Sequence, residues 1–125
     1  MMYAIIFLAL VLGLPQLAHA QSSGNGDKLL ADCKKGLPPR GEEGFQTGAH
    51  CLGVIQGMRD ALTYWRWANE DGKRSPNGEA CIPEKASVFE VAQVVVNYLE
   101  AHPKERNERD TILILRALRF AYPCK

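Results

Sequence analysis

The residues with the most chemistry to offer are four cysteines, Cys33, Cys51, Cys81 and Cys124. Cysteine can ligate a metal, attack a carbonyl as the thiolate, or pair as a disulfide. A zinc site needs close-set ligands such as C-x-x-C or H-x-x-x-H, and neither spacing occurs, so no metal site is expected. His50 stands beside Cys51, which suggests a nucleophile with its base. Sequence neighbours seldom place a base correctly, however, and a paired cysteine has no thiolate to give. An even cysteine count in a small chain points instead to disulfides. One acid, Asp60, is embedded in a glycine-bearing helical stretch with no identifiable catalytic partner, and reads as making a structural hydrogen bond or salt bridge. The chain therefore reads as a non-enzyme, with no catalytic residue, metal or cofactor.

Disulfides require an oxidising compartment, and the first residues supply the route to one. Met1–Ala20 carries no charged side chain, and its apolar run Ala4–Leu14 falls short of the roughly 20 residues that span a bilayer. Pro15 and the small-x-small motif Ala18-His19-Ala20 follow. This pattern predicts a signal peptide over 1–20, cleaved after Ala20, and a single exported domain over 21–125. The 125 residues are 46% hydrophobic and 23% charged, which suits one compact domain and excludes a disordered or collagen-like chain. A formal charge of +1 gives no broad attraction to nucleic acid or acidic lipid.

The cysteines must be positioned by helices. Residues 21–26 read as a polar, frayed lead, with Asp27 capping a short helix over 28–35 that turns Leu29, Leu30 and Cys33 to one side. The cluster Gly36-Leu37-Pro38-Pro39-Arg40-Gly41 breaks it. Cys51, Ile55, Met58, Leu62 and Trp65 then recur at helical period, in a second helix beginning within 42–47 and ending near Ala68-Asn69. Gly44, Gly48, Gly53 and Gly57 interrupt it. Each glycine inside a helix costs about 0.8–1 kcal/mol, so the Gly53/Gly57 face, which continues to Asp60 and Ala61, is expected to admit another helix closely. Gly44 and Gly48 can equally lie outside a frayed start.

A long polar connection follows over 69–80, then Cys81-Ile82-Pro83. Ser87 and Glu90 have capping-box spacing, and Val91, Val94, Val95, Tyr98 and Leu99 carry the next helix to Ala101-His102-Pro103. Pro103 suits the first turn of a last helix, with Glu105–Arg109 and Arg106–Asp110 as exposed i,i+4 pairs. Ile112, Leu115, Leu118 and Tyr122 would face inward, joined by Ile114, Ala117 and Ala121. The fold class is all-α: a small disulfide-stapled bundle of about four helices, three of them long.

Helix geometry then chooses among the three possible disulfide pairings. Cys81 precedes the third helix and Cys124 follows the fourth, so an up-down pair puts them at the same end. Cys51 starts the second helix, roughly 25 Å from Cys81 across its length, far beyond the roughly 7 Å Cα limit. The pairs expected are Cys33–Cys51 and Cys81–Cys124.

The residues so assembled form a pattern: Cys51-x-Gly53-x-Ile55-x-Gly57-x-x-Asp60-Ala61, Cys81-Ile82-Pro83, Val95-x-x-Tyr98-Leu99-x-x-His102-Pro103, and Ala117-Leu118 with Tyr122-Pro123-Cys124. It resembles the Rap/Tai-type immunity proteins, periplasmic inhibitors that guard bacteria against type VI secretion amidases. The resemblance covers about 33–124. It implies a helical, commonly dimeric periplasmic protein without catalysis, which blocks the Cys-His cleft of a papain-like peptidoglycan amidase with a protruding loop. The matching positions, among them Gly53, Gly57, Asp60, Pro83 and Pro103, look structural, which leaves recognition to the variable segment. The expected partner-binding residues are Glu70, Asp71, Lys73, Arg74, Ser75 and Asn77, with Trp67 at the base of the loop as an anchor and Trp65 in the core seam. The main alternative is a periplasmic acid-stress chaperone, although only His50 and His102 remain after cleavage to serve a pH switch. A saposin-type lipid binder fits less well, since Arg59, Arg66, Arg116 and Arg119 interrupt the apolar faces.

Overall fold

A computed structural model describes residues 24–37, 46, 48–68 and 80–125. The signal-peptide expectation over 1–20 and the loop residues Glu70, Asp71, Lys73, Arg74, Ser75 and Asn77 lie outside them. Four helices make up the described fold: α1 (Gly26–Gly36), α2 (Ala49–Ala68), α3 (Val88–Ala101) and α4 (Asp110–Ala121), with a 3-10 turn at Pro103–Glu105. No strand occurs among the described residues, only the isolated bridges Asn25–Arg109 and Ala80–Pro123.

The helices form because one stripe of each is apolar, and the stripes meet. Leu29, Cys33, Cys51, Ile55, Val91, Val95, Leu99, Leu113, Ile114 and Leu118 are fully buried in a single core. α3 has the start expected of it: Ser87 Oγ accepts from Glu90 N at 3.2 Å, and Glu90 Oε2 accepts from Ser87 N at 2.6 Å. Both disulfides pair as helix geometry requires, Cys33–Cys51 and Cys81–Cys124, with Cα atoms 5.1 and 5.0 Å apart. The first joins α1 to the start of α2. The second ties the residue after the loop to the chain just beyond α4.

Several expectations need correction. The cap of α1 is Asn25, not Asp27, and its side-chain oxygen accepts from Lys28 N at 3.0 Å. Of the lead expected to fray, residues 24–26 are held in place. Gly26 N donates to Arg106 O at 2.7 Å, and Asp110 N donates to Gly24 O at 2.9 Å. Pro103 does not open the last helix but a short 3-10 turn, and α4 begins only at Asp110. Arg106 is the reason: its Nε donates to Leu99 O at 2.7 Å, capping the end of α3, and its guanidinium faces Asp27 at 3.8 Å. Hence the Glu105–Arg109 and Arg106–Asp110 pairs do not form.

The inward face of α4 is also rotated from the expected one, to Leu113, Ile114, Ala117 and Leu118, leaving Ile112 and Ala121 exposed. On α2, burial fades along the helix. Cys51, Leu52 and Ile55 are buried, Met58 and Leu62 partly so, and Trp65 is 56% exposed rather than in the core seam. The helix outruns its core.

Candidate functional site

The far end of α2 is where the chain presents its largest apolar groups to solvent. Tyr64, Trp65 and Trp67 are all exposed, and the Tyr64 and Trp67 rings lie 6.0 Å apart in a tilted contact. Trp67, one residue before the end of α2, has 68% of its surface exposed. At the other foot of the loop, Ala80 is buried, Cys81 is bonded to Cys124, and Cys81 N donates to Tyr122 O at 2.8 Å. The loop thus enters from an exposed aromatic helix end and leaves through a staple.

Arg59 braces this end of the molecule. It crosses from α2 to the turn before α3, donating to Ala86 O at 2.5 Å and to Glu84 O at 3.0 Å. The turn itself closes at Pro83, whose carbonyl accepts from Ala86 N at 3.0 Å.

The other residues singled out in the sequence are scattered. Asp60 is exposed and accepts from Gln56 Nε2 at 2.8 Å, a local bond along the helix face. Gly53 and Gly57 are exposed too, and a Cβ at either would meet no atom within 4 Å. The expected close helix contact on that face is therefore not made among the described residues. His50 serves no thiolate, since Cys51 is bonded; its Nδ1 lies 3.0 Å from Asp32 Oδ2. Burial works against a charge on Asp32, but the hydrogen bond from Lys28 and the charges of Lys28, His50 and Lys35 outweigh it and hold the carboxyl below its ordinary value. Among the described residues, no three His, Cys, Asp or Glu side chains gather as a metal site would need.

Sequence reasoning missed one cluster. Tyr98 and His102, grouped with the structural residues, are only partly buried and stack at 4.1 Å with 21° between their planes. His102 Nδ1 is 2.8 Å from the Tyr98 carbonyl oxygen, which only accepts, so Nδ1 carries the proton. Tyr98 Oη donates to Glu105 Oε2 at 3.0 Å, and Arg116 binds the same oxygen at 3.1 Å. Burial, then the hydrogen bond to Glu105, push the Tyr98 hydroxyl up, so it stays a donor at neutral pH. The signal was available in the four-residue spacing of two rings that reach across to Arg116 and Phe120.

The family model for Rap1a immunity proteins matches residues 25–124. The chain belongs to the Rap1a immunity protein family. Neither the curated proteins nor the solved structures provide a match. In this Rap1a immunity protein the match begins at the Asn25 cap and ends at Cys124, and so spans all four helices and both disulfides. No helix among its described residues is long and apolar enough to cross a membrane.

Proposed function

We propose that this protein is exported to the periplasm, where it protects its host by binding a papain-like peptidoglycan amidase delivered by type VI secretion. The 69–80 segment enters the Cys-His cleft and excludes substrate and water, and the protein performs no reaction itself. Trp67 anchors the contact, and Glu70, Asp71, Lys73, Arg74, Ser75 and Asn77 supply polar complementarity. The protein acts as a homodimer, as the family resemblance implies.

Family membership over 25–124 is the observation that carries this reading. The exposed aromatic end of α2 supports the choice of surface, because large rigid side chains at a loop base contribute most to protein interfaces. The stapling of both helical pairs supports the role: a rigid frame loses little entropy when its loop is captured. Co-expression tests it. A candidate amidase sent to the periplasm should lyse cells alone and spare them when this protein is co-exported. Lysis at the same rate with and without it, for every amidase encoded beside it, would overturn the reading.

A further inference from the structure

The outer face of α3 and α4 carries a second built surface that the loop reading does not use. Phe120 is 77% exposed there, the most exposed large apolar side chain among the described residues. It leans on the Tyr98–His102 stack, 6.2 Å from the first ring and 6.4 Å edge-on from the second. On one side of this aromatic ridge is a depression of about 290 Å³ between α3 and α4, lined mainly by small apolar groups such as Val94, Ala101, Ala117 and Ala121. On the other is one of about 400 Å³, with Arg116 and Arg119 in its wall. The ridge is held before any partner arrives, because Tyr98 and His102 are both fixed by hydrogen bonds.

Charge decides what fits. Arg116 is already paired with Glu105, whereas Arg119 has no ion pair among the described residues. The acid beside this ridge, Glu105, is already held by Tyr98 and Arg116, so a second copy of this face would meet Arg119 with arginine and a committed carboxylate. A carboxylate from a partner would instead meet the guanidinium of Arg119, which can take it in a two-pronged hydrogen bond.

We propose that this face docks a segment of a partner protein that presents a large apolar side chain next to a carboxylate. The apolar group fills the α3–α4 depression against Phe120, and the carboxylate pairs with Arg119. The proposal goes beyond the loop-occlusion reading, since none of these residues is among those expected to enter an amidase cleft, and either can fail without the other.

The test is an NMR titration of the ¹⁵N-labelled, oxidised chain with two short capped helical peptides. One presents Leu and Glu on a single face, and the other replaces each Glu by Lys. The Glu peptide should shift the amides of Val94, Ala101 and Phe120 saturably, and the Lys peptide should bind about tenfold more weakly, the worth of a charge-assisted hydrogen bond. Phe120→Ala should weaken the Glu peptide, and Arg119→Glu should reverse the preference; both positions are exposed, so the fold is kept. Equal shifts with both peptides, or shifts confined to other amides, would overturn the proposal. So would concentration-dependent shifts at this face without peptide, which mean a second copy, or shifts with phosphatidylglycerol vesicles alone, which mean a lipid surface.

Discussion

Gly26 shows how one residue can be fixed by its surroundings. A Cβ there would lie 2.5 Å from Leu113 Cδ1 and 2.8 Å from the Arg106 backbone, so a methyl group has no room. Gly26→Ala should cost about 1–3 kcal/mol, the usual penalty for overpacking, measured by urea unfolding. Nothing in the local sequence marks this position, because the contact is made by residues some eighty positions away. The Ser87–Glu90 cap was legible because both partners lie within one turn, and Ser87→Ala should cost about 1 kcal/mol. The carboxyls give a pH dependence. Glu90 is held below its ordinary value by the Ser87 backbone N–H and then the Ser87 hydroxyl, and Asp32 by its ring of cations. Groups with lowered folded values stabilise fully above the unfolded pKa, about 3.9–4.3, and lose that contribution as pH falls through the folded values. The melting temperature should therefore drop below about pH 4, and Asp32→Asn with Glu90→Gln should flatten that drop.

At the scale of the element, α2 departs most from its pattern. Its apolar period runs through Trp65, yet burial ends near Leu62, because a repeat shows which side faces inward but not how far the neighbouring helices reach. The Gly53/Gly57 face is a second case. Spacing indicates a shared face, and no described residue covers it, so Gly53→Ala and Gly57→Ala should each stabilise the isolated chain by about 0.8–1 kcal/mol in thermal unfolding. A loss of stability at either would mean that something covers the face in solution. The last helix illustrates a different limit. Pro103 was a sound start signal, but Arg106 is drawn to the Leu99 carbonyl and Glu105 to Tyr98 and Arg116, and these long-range bonds replace the local i,i+4 pairs.

For the whole molecule, the disulfides set the stability. On the chain-entropy relation, removing Cys33–Cys51 should cost about 3 kcal/mol and removing Cys81–Cys124 about 4 kcal/mol, large beside a typical 5–15 kcal/mol. Serine pairs at either site, compared by urea unfolding, should rank in that order. The pairing was legible because helices are rigid rods of known rise, and rods leave few cysteines within reach of one another. The proposed recognition surfaces were less so. A polar loop has no periodicity to read, and a ring stack on an outer helix face looks like core until its neighbours are placed. Inhibition of a candidate type VI secretion amidase, titrated with the purified oxidised chain, tests the proposed function most directly. The parent should abolish hydrolysis of peptidoglycan at equimolar amounts, and the Glu70, Asp71, Lys73 and Arg74 to Ala variant should lose inhibition with its melting temperature unchanged. Full inhibition by that variant, or hydrolysis by the chain itself, would contradict the account.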